Sequence, residues 1–283
     1  MCLHPTHMIP ETIREISRKF SGDFVLYAEH FQSGEVIAFG QEHPMETAST
    51  IKLAILVETM RQVEQHLLSL YDPIRIDETD MVTGSGILQH LSPGITLPLK
   101  DLLTLMIILS DNMATNRILR LIGLSNVNNT LTALGLHDTS IKKRIDFTLP
   151  GPIGLSTPRD LVLLLKKLYQ GDLISKAASD LMWEILTRQQ YNTIMTRDLP
   201  YSLLESSDEH TPPPVVVGSK SGALAGVRND AGIVRTPWGD YAIAIMSTGC
   251  RDQRYHPDNE ALILLPQVAA AVFHHFCPQA AAH

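Results

Sequence analysis

Cysteine is scarce in this chain of 283 residues: there are three, at Cys2, Cys250 and Cys277. None stands at ligand-like spacing from another, which excludes a disulfide framework and a zinc knuckle and leaves reduced, inert thiols. Long apolar runs are also missing. Stretches such as Leu102–Leu109 and Val268–Phe273 fall far short of the roughly 20 residues needed to cross a bilayer, so a soluble chain with no membrane partner is expected. Basic runs stop at the pairs Lys142-Lys143 and Lys166-Lys167, and the formal charge is −7. A nucleic-acid partner is thereby excluded and a small-molecule substrate favoured. The first residues, MCLHPTHMIPETIREIS, show no basic start, apolar stretch or small-residue cleavage site. As written the chain is expected in the cytoplasm, or in the periplasm or medium if an export signal precedes it. Twelve histidines are present, but no HExxH, and the adjacent His274-His275 face different sides of a helix. Neither a metal nor another cofactor is expected.

What is present is a core. Hydrophobic residues make up 44% and charged residues 19%, which fits one large domain or two interleaved lobes and excludes disorder. Ile13, Ile16 and Phe20 recur at helical spacing within Pro10–Phe20. DFVLYAEHF (Asp23–Phe31), a Gln32-Ser33-Gly34 turn and EVIAF (Glu35–Phe39) read as two antiparallel strands. From about Thr47 to Gln190 helical patterns dominate, as in KLAILVETMRQVEQHLL and PRDLVLLLKKLY. Strand patterns return over Pro214–Gly222, Asn229–Thr236 and Asp240–Gly249, the last two joined by Pro237-Trp238-Gly239. A helix over Asn259–Phe276 closes the chain, and the proline-rich Leu204–Pro214 reads as a surface loop. The order implies an α+β fold of one domain, 1–283. A sheet lobe spans about 1–46 and 212–283, a helical lobe about 47–211, and a cleft between them is the natural site.

Three short motifs fall on this frame. Ser49 and Lys52 (Ser49-Thr50-Ile51-Lys52) share one face at the start of a helical run, where an amine can take the proton of a hydroxyl. SxxK alone means little: about one chance match is expected at this length, and a second, Ser140 to Lys143, lies in a turn-bounded segment and is accidental. Ser110-Asp111-Asn112 follows LLTLMIIL, is rarer by chance, and doubles as an N-cap for the next helix. Lys220-Ser221-Gly222 lies in a strand, where Gly222 permits close approach to the backbone. In this order the three form the signature set of penicillin-interacting serine enzymes.

Through ASTIK, LSDNMATN and GSKSG the chain resembles the class A β-lactamase family, and more broadly the β-lactamase-related serine hydrolases of penicillin-binding type, from Phe24 to the final helix. The resemblance implies a five-stranded antiparallel sheet flanked by terminal helices, with an inserted all-helical lobe. It implies Ser49 as the acylated nucleophile, Lys52 as its proton acceptor and Ser110 as proton relay to the leaving nitrogen. Asn112 would bind the substrate's amide side chain and hold Lys52. Lys220 and Ser221 would bind the substrate carboxylate, with Arg228 as a second partner. The backbone N–H groups of Ser49 and Ala223, beside Gly222, would form the oxyanion hole.

The chain departs from that family where a Glu-x-x-Leu-Asn motif carries the deacylating base. Here the stretch reads Arg144-Ile145-Asp146-Phe147-Thr148-Leu149-Pro150. Asp146 is the candidate base, shorter than Glu by about 1.5 Å, and the partner Asn is missing. Asn116, one turn beyond Asn112, matches the residue that tethers the loop carboxylate. A monomer acting on a β-lactam or a related amide or ester is expected. An esterase or D-amino-acid peptidase, and a slowly deacylating penicillin-binding protein, remain alternatives.

Overall fold

The computed structural model describes residues 11–206 and 211–282. Cys2, the N-terminal stretch through Pro10 and the middle of the Leu204–Pro214 loop lie outside the described residues. In chain order the elements are helix α1 (Glu11–Lys19), strands β1 (Asp23–His30), β2 (Val36–Phe39) and β3 (Met45–Glu46), and helix α2 (Lys52–Glu64). Strands β4 (Pro73–Arg75) and β5 (Thr96–Pro98) follow, then helices α3 (Leu99–Ile108), α4 (Asn112–Ile122) and α5 (Leu124–Ala133). Next come strands β6 (Ser140–Ile141) and β7 (Gly154–Ser156) and helices α6 (Pro158–Gln170), α7 (Lys176–Leu186) and α8 (Tyr201–Leu204). Strands β8 (Val216–Leu224), β9 (Val227–Arg235) and β10 (Tyr241–Thr248) lead to helix α9 (Glu260–Phe276).

Strands β2-β1-β10-β9-β8, in that order, form a five-stranded antiparallel sheet. Strand β10 explains how a sheet can be covered on both faces. Its side chains alternate: Tyr241, Ile243 and Ile245 enter a core shared with α1 and α9, while Ala242, Ala244 and Met246 enter the core of the helical side. This is the period of two expected of a strand, with apolar residues in both phases because neither face meets water. The small Ala231, Ala242 and Ala244 let α6 lie close, and Leu161, Val162, Leu164, Leu165 and Leu168 of that helix are buried. Thr157 caps α6 by accepting from Asp160 N (3.1 Å), Pro158 opens it and Gly171, at φ +78°, ends it, each in its favoured place.

Two expectations shift in detail. Strand β9 begins at Val227, not Asn229, because Leu224 pairs with Val227 across the two-residue turn Ala225-Gly226, with Gly226 at φ +70°. The stretch read as wholly helical also holds the small strand sets β4-β5 and β3-β7-β6, each only two or three residues long and so without visible alternation.

Helix α2 runs through the middle of the helical side, buried along most of its length. Its one buried carboxylate, Glu58, accepts from Arg61 (2.7 and 2.8 Å), Gln62 (2.6 Å) and Thr130 (2.6 Å), as a buried charge requires. No helix among the described residues is long and apolar enough to cross a membrane. Cys250 and Cys277 are buried, unpaired thiols whose pKa values burial raises.

Candidate active site

The N-terminal end of α2 meets the edge strand β8. Ser49 sits half-buried in a single 3-10 turn, Ala48–Ile51, that runs into α2. The turn is anchored by Thr50, whose N and Oγ1 donate to Thr47 O (3.1 and 2.8 Å), and by Thr47 N to Gly154 O (3.0 Å). Ala48 lies at φ +46°, a left-handed conformation uncommon without glycine, immediately before the serine. Strand β8 comes so near that a Cβ on Gly222 would stand 2.9 Å from Thr47 O and 3.0 Å from Ser49 N. Only glycine lets these two backbones meet. As the edge of the sheet, β8 turns every second N–H away from β9.

Lys52 is fully buried. Its Nζ donates to Ser110 O (2.8 Å) and Asn112 Oδ1 (2.9 Å) and lies 3.1 Å from Ser110 Oγ. Ser110, at φ +51°, turns both its carbonyl and its hydroxyl towards that amine. Burial, and next the positive charge of Lys220, hold the Lys52 pKa well below the usual lysine range, with Asp111 acting in the opposite sense. A depressed amine of this kind can serve as a base.

Asp111 has two tasks. Oδ1 accepts from Ala114 N (2.9 Å) and caps α4, while Oδ2 accepts from Ile87 N (2.8 Å) and Leu88 N (2.9 Å). The loop containing Thr83–Gly86 is further tied by Asn112, whose Nδ2 donates to Thr83 O (3.1 Å) and whose N donates to Ser85 O (3.0 Å). One motif thus caps a helix, holds the lysine and hangs a wall of the cleft.

Lys220 is fully buried on β8 and donates to Ser221 O (2.7 Å). Burial lowers its pKa to about 7, against the attraction of Asp230. Asp230, on β9 in register with Ser221, is raised to about 6, first by burial. Arg228 is also buried: Nη1 donates to Leu224 O (2.5 Å) and Val227 O (2.8 Å), Nη2 to Arg254 O (2.8 Å), and the guanidinium stacks on Tyr255 at 4.7 Å.

Ser49, Ser110, Asn112, Ser221, Gly222 and Ala223 come together on the wall of one cleft of about 1160 Å3, which Arg228 also lines. Lys52 and Lys220 stand behind that wall. Asp146 is not brought to it. Its Oδ1 accepts from Thr148 N (2.9 Å) and Thr148 Oγ1 (2.6 Å), bonds that lower its pKa. It lines a neighbouring hollow of about 510 Å3. Lys143 gathers this loop by donating to the carbonyls of Asp146 (3.3 Å), Leu149 and Pro150 (3.2 Å). Asn116 holds the loop through its backbone rather than the carboxylate: Nδ2 donates to Ile145 O (2.9 Å) and Oδ1 accepts from Ile145 N (2.9 Å). Among the described residues no Asp or Glu lines the cleft, and Ile145 and Phe147, not Asp146, face it from the loop.

The sequence reading missed Asp230, the second task of Asp111, and the far wall formed by Tyr191–Ile194 and Tyr255–Pro257. A signal existed for Asp230 alone, an acid inside an apolar strand, which calls for a partner. The others depend on segments far apart in the chain.

Comparison with known proteins bears on the family and the fold. The chain matches the model of the Beta-lactamase enzyme family over residues 8–276 and belongs to that family. It is similar to a β-lactamase from Sphaerobacter thermophilus, at 27% identity over 94% of this chain and 96% of that one, TM-score 0.84. It is also similar to PBP-A, at 26% identity over 96% and 99% of the two chains, TM-score 0.79. A mutant of PBP-A, solved as an acyl-enzyme complex with penicillin G, matches at 26% identity over 93% and 94%, TM-score 0.78. A class A β-lactamase from Mycobacterium abscessus shares the fold, at 19% identity over 94% and 99%, TM-score 0.80.

Proposed function

We propose that this protein is a serine hydrolase that opens β-lactams through an acyl-enzyme on Ser49. The observation that carries the reading is the convergence of Ser49, Ser110, Asn112 and Ser221 on one cleft, with the Lys52 amine 3.1 Å from Ser110 Oγ. The neutral Lys52 amine takes the Ser49 proton as Oγ bonds to the lactam carbonyl carbon. The backbone N–H groups of Ser49 and Ala223 hold the resulting oxyanion. The C–N bond then breaks, and the proton passes from Lys52 through Ser110 to the leaving nitrogen. Lys220, Ser221 and Arg228 attract the substrate carboxylate. The penicillin G adduct of a PBP-A mutant supports this chemistry on this fold. Intact-mass spectrometry after exposure to penicillin G tests it. An adduct of the full penicillin mass is expected, absent in Ser49→Ala; no adduct on the wild type sinks the reading.

A second observation favours slow release, as in a penicillin-binding protein: no carboxylate is among the described residues lining the cleft. The base left to activate water is Lys52. A base displaced by about an ångström already loses about a hundredfold in rate, so the adduct is expected to persist from minutes to hours. Asp146→Asn is expected to change its lifetime by less than about twofold, since Asp146 faces the neighbouring hollow. A large lengthening would restore Asp146 as the base.

A further inference from the structure

Acidic residues outnumber Lys and Arg by 30 to 23, yet the cleft wall carries cations and, among the described residues, no acid. The asymmetry is sharpest at the wall of Tyr255–Pro257, where two arginines are joined by one loop. Arg228 stacks on Tyr255 and donates to Arg254 O, while Arg197 Nη1 donates to Pro257 O (2.8 Å). Arg228 is 4% exposed and committed to three carbonyls. Arg197 is exposed, and among the described residues the bond to Pro257 is the one hydrogen bond of its guanidinium. That bond orients the fork and leaves its remaining donors for a ligand. Neither Asp198 nor Asp258 is on the cleft wall, and Asp258 stands beside His256, whose Nδ1 accepts from Asp258 N (3.2 Å).

In a β-lactam the carboxylate is borne by the carbon bonded to the lactam nitrogen. If Ser221 and Arg228 hold that carboxylate, a point that rests on the function proposed above, whatever lies beyond it on the leaving-nitrogen side extends towards Arg197. We propose that Arg197 forms a second anion subsite, selecting substrates that carry a further carboxylate or sulfonate on the leaving-nitrogen side of the scissile amide. A planar guanidinium suits such a group, and a wall without acids places no like charge against it.

Cefamandole and cefonicid share an acyl side chain and differ at the C3 substituent, neutral in the first and sulfonated in the second. The acylation rate constant of the wild type is expected to favour cefonicid by about three- to fivefold, the range of an exposed ion pair. Arg197→Gln brings the ratio to about one without slowing cefamandole, and Arg197→Lys keeps part of it. The same ratio is read in dissociation constants by calorimetry on Ser49→Ala, which forms no ester. A ratio near one in the parent protein, or one unchanged in Arg197→Gln, overturns the subsite. Absence of any adduct on the wild type overturns the Ser49 reading instead, while the calorimetric ratio still decides the subsite.

Discussion

At the scale of single residues, the proposed reaction uses the burial of two lysines in opposite ways. The proposed reaction needs Lys52 neutral, and burial lowers its pKa in that direction. Lys220 is useful when charged, and Asp230 opposes the burial that would discharge it. The protonated form attracts the substrate carboxylate, so with a pKa of about 7 the kcat/KM for acylation is expected to fall as pH rises through about 7. Above it the slope approaches about tenfold per pH unit. Lys220→Arg removes this limb. Asp230→Asn deletes the attraction that sustains the cation and moves the limb to lower pH; a pH profile of acylation reads both, and an unmoved limb refutes the assignment. At Gly222, an added Cβ meets backbone atoms of the turn that carries Ser49, Thr47 O and Ser49 N. Gly222→Ala is expected to slow acylation about a hundredfold and to lower stability by about 1–3 kcal/mol. Stopped-flow acylation and thermal melts check the two effects separately.

At the scale of elements, the cleft is assembled by polar bonds between pieces that pack against different neighbours. Asp111 joins the N-terminus of α4 to the loop at Ile87 and Leu88. Asp111→Ala leaves three N–H groups without their acceptor and is expected to cost about 1–3 kcal/mol. Faster amide exchange at Ile87 and Leu88, with a slower acylation rate, is the expected signature; a melt shift with no change in exchange there would argue that capping alone is its task. Much of this level was legible in the sequence. The alternation of β10 and the capped, Gly-terminated pattern of α6 are local properties, and the Ser110-Asp111-Asn112 motif is readable as a cap from its residue types alone. The strand sets β4-β5 and β3-β7-β6 were not, because two or three residues carry no period and owe their pairing to partners distant in the chain.

At the scale of the whole molecule, the sheet divides two apolar cores and carries the site at its edge strand. The exposed apolar side chains Leu67 and Tyr71, Tyr201, and Tyr255 come from three segments of the chain. A monomer is therefore proposed, and light scattering is expected to return the mass of one chain at micromolar concentration; a stable dimer would refute it. By itself the sequence determined the antiparallel α+β order and singled out Ser49, Lys52, Ser110 and Lys220 as candidates, because periodicity, caps and motif spacing are encoded over a few neighbouring residues. Tertiary structure decided where the carboxylates went. Asp146 turned to Thr148 and away from the cleft, Asp230 was buried in register with Ser221 near enough to act on Lys220, and Arg197 came to the wall of Tyr255. These outcomes depend on which distant backbone and side-chain groups satisfy each charge once water is excluded, and no local pattern in the chain records that.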